Sequence, residues 1–148
     1  MTSSAAASTG ADAEPGPSPS RGNCPCLSGE QYDHCCGRFH RGEAEAPTAE
    51  QLMRSRYSAF ATLDAGYLLR TWHPDTRPAG LELDSGIQWR RLDIVSTTRG
   101  GPLDTEGTVE FNAHFRHDGE RGVQHETSHF MRVDRRWYYY GPVAVAFG

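Results

Sequence analysis

The stretch Thr108-Val-Glu-Phe-Asn-Ala-His-Phe-Arg116 alternates apolar and polar side chains without a break. Its odd-numbered positions carry Val, Phe, Ala and Phe, and the even-numbered positions that follow them carry Glu, Asn, His and Arg. A period of two predicts a half-buried antiparallel strand whose odd-numbered face packs on a core.

The segments on both sides of this strand predict its partners in an antiparallel sheet. Residues 89–98 form one long strand, with Leu92, Ile94 and Ser96 expected on one face. Asp118-Gly119 is a hairpin signal, and residues 123–133 form the return strand. A last strand begins at Trp137.

Two helices are predicted ahead of the sheet. Thr48 and Gln51 fit a capping box, so the first helix begins there. Asp64 fits the cap of a shorter second helix, which Pro74 ends. Helices followed by an antiparallel sheet predict an α+β domain with the helices packed on one face of the sheet.

The apolar face of the first helix contains one charged residue. At about 100° per residue, one arc collects Leu52, Met53, Tyr57, Phe60 and Leu63. Arg56 falls inside this arc, whereas Ser55 and Ser58 fall outside it. An arginine that faces a core needs a partner, because an unpaired buried charge is costly.

Glu126 is the expected partner of Arg56, since it shares a strand face with Ser128 and the apolar Phe130. Two hypotheses remain open. The first is a buried ion pair that fixes the packing of helix on sheet. The second is an apolar cavity in which Glu126 serves as base or anchor and Arg56 as anion clamp. The candidate lining residues of that cavity are Tyr57, Trp72, Trp89, Ser128 and Phe130.

All four cysteines of the chain lie close together, in a C-x-C pair and an adjacent pair separated by eight residues. The predicted metal ligands are Cys24, Cys26, Cys35 and Cys36. Four thiolates predict a closed, structural Zn²⁺ site. His34 and His40 are alternative ligands.

Composition restricts the location and partners of the protein. The 148 residues carry a formal net charge of −4, which argues against general nucleic-acid binding. There is no long apolar run, so no membrane span is expected, and the first twenty residues lack the features of a secretory signal. We therefore expect a cytoplasmic protein with reduced cysteines. The predicted organisation is a disordered tail (1–22), a zinc knuckle and connector (23–46) and the α+β domain (47–148).

Two sets of motifs resemble known families. Cys24-Pro-Cys-Leu-Ser-Gly, Tyr32 and Cys35-Cys36-Gly37 resemble the SEC-C zinc knuckle, which is named for the C-terminus of the preprotein translocase motor SecA. The domain is similar to the YchJ family of bacterial proteins. The segments that carry this similarity are Leu52-Met-Arg-Ser-Arg-Tyr-Ser-Ala-Phe60, Tyr67-Leu68, Thr71-Trp-His-Pro74, Glu126-x-Ser128-x-Phe130 and Trp137-Tyr138.

The resemblance implies a fold of the nuclear-transport-factor-2-like (cystatin-like) type, similar to ketosteroid isomerase and the SnoaL-like group. In that fold, helices and a curved sheet enclose a cone-shaped pocket, which here would take a small-molecule ligand. The resemblance implies no particular reaction. The alternative to a ligand-binding protein is a small isomerase, dehydratase or hydrolase that uses Glu126 and Arg56. A second alternative is an adaptor in protein export or translation, whose knuckle contacts a protein partner. Leu27 stands where many such knuckles have glycine, and Glu30, Asp33 and His34 replace basic residues.

Overall fold

The computed structural model describes residues 22–143. Nearly all of the tail predicted to be disordered therefore lies outside the described residues. A 3₁₀ turn at Tyr32–His34 precedes three α-helices: α1 (Cys36–His40), α2 (Ala49–Ala61) and α3 (Ala65–Arg70). Four strands follow: β1 (Ile87–Arg99), β2 (Glu106–His117), β3 (Glu120–Val133) and β4 (Arg136–Pro142).

The four strands form one antiparallel sheet in the order β1-β2-β3-β4, which confirms the α+β class. Asp118-Gly119 joins β2 to β3 with φ angles of 53° and 80°, and Asp134-Arg135 joins β3 to β4 with 52° and 70°. Two-residue loops with positive φ at both positions match the twist of a hairpin. The predicted hairpin is confirmed, and β3 begins three residues earlier than predicted because pairing continues up to this tight turn.

The alternation predicted for β2 is confirmed, since Val109, Phe111 and Ala113 are buried. The prediction for β1 holds only in part. Leu92 is buried but Ser96, expected on the same face, is exposed. The register between β1 and β2 shifts twice, between Trp89 and Arg91 and between Ile94 and Ser96. Each shift breaks the period of two.

Both helices are capped at the predicted residue, but the capping box at Thr48 is only half formed, because Gln51 Oε1 accepts no hydrogen bond within residues 22–143. The Thr48 hydroxyl accepts a hydrogen bond from the Gln51 amide at 3.1 Å, and the Asp64 carboxylate accepts one from the Tyr67 amide at 3.0 Å. The expectation that Leu63 belongs to the apolar face is wrong. The helix ends at Ala61, and Leu63 has a φ of 60° and is 49% exposed, because the chain turns there toward α3.

Helix α2 is buried on two sides. The sheet covers the predicted apolar face, which includes Leu52 and Met53. Ser55 and Ser58 lie outside that face and are nevertheless fully buried. The cysteine segment packs on this second side, so the hydrophobic core is continuous from Cys24 to the strands.

The start of α2 is also tied to the last strand, because the indole N–H of Trp137 donates to the carbonyl of Pro47 at 3.1 Å. Within residues 22–143, no helix has both the length and the apolar character needed to cross a membrane.

Candidate functional site

The four cysteines form a compact cluster. Their sulfur atoms all lie within 4.8 Å of one another, with Cys26 Sγ 3.6 Å from Cys35 Sγ and Cys35 Sγ 3.9 Å from Cys36 Sγ. All four are free thiols, and only Cys35 is more than marginally exposed. The sequence thus identified the residues that the fold brings together, and the cluster could hold a metal ion.

Short local turns create this cluster. The amide of Cys24 donates to the carbonyl of Glu30 at 2.9 Å, and the amide of Leu27 donates to the carbonyl of Cys24 at 3.0 Å. Leu27 and Gly29 have φ angles of 64° and 92°, in the left-handed region that reverses the chain. The 3₁₀ turn then brings the second cysteine pair back toward the first.

The thiols of the cluster affect one another's pKa. Hydrogen bonds from the thiols of Cys26 and Cys36 lower the pKa of Cys24. The hydrogen bonds to Cys24 raise the pKa of Cys26 to about 11, and they also raise the pKa of Cys36. Ionisation of Cys24 therefore disfavours ionisation of the thiols beside it.

The cysteine segment is hydrogen-bonded to α2 and α3. The Ser58 hydroxyl lies 3.4 Å from Cys24 Sγ. The ring of His40 lies 2.8 Å from the Ser55 carbonyl through Nε2, and its Nδ1 meets the Tyr32 hydroxyl. Arg70 donates to the carbonyl of His40 at 3.0 Å. His40, which the sequence offered as an alternative metal ligand, therefore connects the cysteine segment to the helix instead.

A second candidate site is a cavity of about 200 Å³ between the helices and the sheet. Its lining residues are Met53, Arg56, Phe60, Trp72, Phe111, Gln124, Glu126, Ser128 and Tyr139. Of the remaining predicted lining residues, Tyr57 and Trp89 line an adjoining space of about 50 Å³. Phe130 is fully buried in the core.

Arg56 is only 3% exposed and is fixed at one nitrogen. Its NH1 donates to the Leu68 carbonyl at 2.8 Å and to the Thr71 hydroxyl at 2.7 Å. Its guanidinium carbon lies 4.5 Å from the ring centroid of Tyr139 and 5.2 Å from that of Trp72. Burial lowers the pKa of Arg56 to about 10, so it remains charged at neutral pH.

Glu126 is held by two hydroxyl groups at a single oxygen. Its Oε2 accepts from Ser128 Oγ at 2.6 Å and from the Tyr139 hydroxyl at 2.9 Å. The expected ion pair between Arg56 and Glu126 is not formed, since no nitrogen–oxygen distance between them is 4.0 Å or less. The physical reason is Tyr139, which contacts both charged groups.

Sequence reasoning did not identify Tyr139 or Thr71 as site residues. The signal for Tyr139 was present, because a period of two places it on the same strand face as the buried Trp137. No sequence pattern pointed to Thr71, because its hydrogen bond with Arg56 depends on how α3 ends beside α2.

The cavity is lined by unsatisfied donors and an unsatisfied acceptor. The indole N–H of Trp72 is buried without an acceptor, and Nε and NH2 of Arg56 make no hydrogen bond within residues 22–143. Oε1 of Glu126 accepts no hydrogen bond from these residues. Apolar surface from Phe60 and Phe111 lies in the same cavity. The arrangement can hold a small molecule with an acceptor group, an apolar body and a donor group.

Both parts of the chain match models of known families. A family model described as "YchJ, middle NTF2-like domain" matches residues 48–142, and the SEC-C motif matches residues 23–38. The chain is 35% identical to a SEC-C motif containing protein from Rhodopseudomonas palustris, whose solution structure superposes with a TM-score of 0.73. That match covers 84% of this chain and 99% of the other. A crystal structure of a SEC-C motif containing protein from Psychrobacter arcticus is 27% identical, with a TM-score of 0.67 and 84% coverage of each chain.

Relatives with higher identity cover the same region. A UPF0225 protein of Streptomyces coelicolor is 57% identical over 116 residues, which make up 78% of this chain and 90% of the relative. One from Corynebacterium glutamicum is 54% identical over 116 residues, 78% of this chain and 92% of the relative. These matches confirm the resemblance read from the motifs: the chain belongs to the YchJ (UPF0225) family and carries a SEC-C motif ahead of an NTF2-like domain.

Proposed function

We propose that this protein is a zinc-stabilised ligand-binding protein. A structural Zn²⁺ held by the four cysteines orders the SEC-C segment against α2. The cavity beside the same helix binds a small organic molecule between Arg56 and Glu126. The observation that carries the proposal is the arrangement of these two charged groups. Each is fixed by hydrogen bonds at one atom, and both line the cavity without meeting.

The sulfur geometry supports zinc as the metal. Zn–S bonds of about 2.3 Å in a tetrahedron place the sulfurs about 3.8 Å apart. The separations of 3.6 Å for Cys26–Cys35 and 3.9 Å for Cys35–Cys36 agree with that value. Four protein ligands leave no open coordination position, so the ion has a structural role. The hydroxyls of Ser28 and Ser58 lie 3.1 Å and 3.4 Å from ligand sulfurs and can stabilise the negative charge of a tetrathiolate centre.

The zinc part is tested by metal analysis and chelation of the purified full chain. We expect one zinc per chain, loss of zinc from Cys26→Ser, and a lower melting temperature after chelation. Ser28→Ala is the control, because it removes a hydroxyl beside a sulfur but keeps all four ligands. Unchanged amide NMR signals at residues 22–41 after complete metal removal would contradict a structural role.

The chemistry of the cavity supports a small ligand with a carboxylate or carbonyl group. Arg56 and Trp72 supply donors for that group, and Oε1 of Glu126 supplies an acceptor for a hydroxyl or amine. The volume of about 200 Å³ lies below the range of about 300–1,000 Å³ typical of drug-sized ligands. The ligand is therefore small.

Binding is tested with mandelate as a small hydroxy acid and with its methyl ester as the neutral comparison. We expect mandelate to shift amide signals around the cavity and the ester to bind at least about tenfold more weakly, because it lacks the carboxylate that pairs with Arg56. Glu126→Gln keeps the shape of the side chain and should weaken binding, whereas Glu110→Gln on the outer sheet face should not. If neither mandelate nor a wider set of small carboxylates shifts these signals, the cavity is not a ligand site.

A second candidate function is proton-transfer catalysis in the same cavity. The observation that favours it is the fixed orientation of Glu126, whose free Oε1 can accept a proton while Oε2 stays bound to Ser128 and Tyr139. Arg56 would then stabilise the negative charge that develops on a substrate oxygen. Exchange of the α-proton of a bound ligand with D₂O, followed by NMR, tests this function. Loss of exchange in Glu126→Gln at a ligand concentration that saturates the variant would support it, and absence of exchange in the unmodified protein would exclude it for that ligand.

A further inference from the structure

A second concave region lies at the end of the sheet near the β2–β3 hairpin. Its volume is about 510 Å³. We call it the arginine groove, and its lining residues are Arg90, Arg91, His114, Phe115, Arg116, Arg121, Gly122 and Val123. None of these residues lines the cavity between α2 and the sheet.

A β-bulge concentrates arginines in this groove. Trp89 pairs with Phe115 and Arg91 pairs with His114, so Arg90 is an extra residue without a partner of its own. Such a bulge places two successive residues of one strand opposite a single residue of the next. Arg90 and Arg91 consequently both line the groove.

The pairing of β2 with β3 adds two further arginines. Arg116 lies directly opposite Arg121 in the register. Like charges in this position repel each other and destabilise the sheet. The residue that follows Arg121 is Gly122, which pairs with Phe115. A Cβ atom there would come 2.5 Å from the Phe115 ring, so this ring lies across the glycine.

Three of the four arginines lack a partner in the described part of the chain. Arg91 bonds to both carboxylate oxygens of Asp93 at 3.1 Å. Arg90, Arg116 and Arg121 have no carboxylate within 4.0 Å and donate no side-chain hydrogen bond within residues 22–143, and Nε of Arg116 is buried without an acceptor.

The charge of the groove is therefore opposite to that of the whole chain. Four arginines against Asp93 give a local formal charge of +3, whereas the chain carries −4. The nearby carboxylates of Asp84 and Asp118 lie within 4.0 Å of His117 and form no ion pair with the groove arginines.

The tautomer of His114 decides whether a further donor is available to a ligand. Its Nε2 lies 3.0 Å from Asp93 Oδ2 and 3.2 Å from Arg91 NH2. A protonated Nε2 that donates to Asp93 cannot also accept from Arg91. Arg91 NH2 then remains available to a ligand in the groove.

We propose that the arginine groove binds the diphosphate group of a small soluble molecule. Guanidinium groups match phosphate oxygens with two parallel hydrogen bonds and suit multiply charged oxyanions. The volume lies within the range of about 300–1,000 Å³ seen for small-molecule sites. The groove is a local positive patch on a net acidic chain, which favours a compact anion over an extended polyanion or an anionic membrane surface.

The proposal is tested on the zinc-loaded full chain with pyrophosphate as the probe, by calorimetry and amide NMR. We expect saturable binding that weakens as salt is added, with the largest shifts at residues 90, 116 and 121. The double variant Arg90→Gln/Arg121→Gln should weaken binding at least about tenfold through the loss of two charge-assisted contacts. Arg121→Gln alone, which changes one exposed side chain, should weaken it by a smaller factor.

The control is Arg135→Gln, which changes another exposed arginine, in the β3–β4 turn, and should bind pyrophosphate like the unmodified chain. Three results would overturn the proposal: no saturation with pyrophosphate, equal weakening by Arg135→Gln, or tighter binding to a short RNA or to phosphatidic-acid vesicles than to pyrophosphate. None of these readouts depends on the ligand of the Arg56–Glu126 cavity.

Discussion

The guanidinium of Arg56 lies over the ring of Tyr139, with its carbon 4.5 Å from the ring centroid. The hydroxyl of the same tyrosine donates to Glu126 at 2.9 Å. Tyr139 thus contacts the cation through its aromatic face and the carboxylate through its polar end. It stabilises both charged groups while keeping them apart, which leaves both of them in the lining of the cavity.

The hydrogen bond from Tyr139 to Glu126 should contribute measurably to stability. Tyr139→Phe removes the hydroxyl and leaves the carboxylate with Ser128 as its remaining donor. We expect the free energy of unfolding to fall by about 1.5–3 kcal/mol, the usual range for a hydrogen bond to a charged group. Urea unfolding at neutral pH measures this change. The control is Tyr138→Phe on the same strand, because the Tyr138 hydroxyl makes no hydrogen bond within residues 22–143. Equal stability of the two variants would show that the Tyr139 hydroxyl contributes nothing.

The positive φ of Leu27 predicts that replacing this residue with glycine stabilises the cysteine segment. Leu27 has a φ of 64° and is 55% exposed, so it carries left-handed strain and buries little surface in return. Leu27→Gly should raise the free energy of unfolding of the zinc-loaded chain by up to about 1 kcal/mol. Leu27→Ala is the control, since it shortens the side chain but retains the strain. If alanine and glycine have the same effect, exposure of the leucine side chain is the cause and backbone strain is not.

Local patterns in the sequence predicted most of the fold. The alternation around Phe111 identifies a strand because the polarity of each side chain indicates which face of the sheet it lies on. The caps at Thr48 and Asp64 were predictable because each accepts a hydrogen bond from an amide three residues later. The cysteine cluster was predictable for the same reason, since its four ligands lie within thirteen residues of one another.

Contacts between distant segments could not be predicted in this way. The helical period predicts that Ser58 faces solvent. It is instead buried, because a segment 34 residues earlier in the chain packs on it. Arg56 and Glu126 share a buried layer as expected, but a residue on a third element separates them. Arg90 lines the arginine groove only because a bulge interrupts the period of its strand.

Two buried tyrosines predict a loss of stability in alkaline solution. Burial raises the pKa of Tyr57 and of Tyr67 from 10 to about 12. Because the folded state holds these protons more tightly, their contribution is fully present below pH 10 and is lost as the pH rises toward 12. Absorbance at the phenolate band should show these tyrosines ionising well above pH 10. Tyr67→Phe should reduce the slope of stability against pH in this window, and an unchanged slope would contradict the raised pKa of Tyr67.

His40 predicts the opposite pH dependence in mildly acidic solution. Its neutral ring fits its surroundings, because Nε2–H can donate to the Ser55 carbonyl at 2.8 Å while Nδ1 accepts from Tyr32. Burial lowers the pKa of His40 below its usual 6.5, and the hydrogen bond to Ser55 opposes this shift. The unfolded state therefore binds the proton more readily, so the contribution of His40 is present above pH 6.5 and is lost as the pH falls through the lower pKa of the folded state.

NMR titration of the zinc-loaded chain should place the midpoint of the His40 ring below 6.5, with zinc content measured at each pH so that metal loss is not mistaken for protonation. His40→Gln should also make stability less dependent on pH below about 6.5. His34→Gln is the control, since the His34 side chain is exposed and makes no hydrogen bond or ion pair within residues 22–143. A midpoint at or above 6.5 would show that the neutral ring of His40 does not join the SEC-C segment to α2.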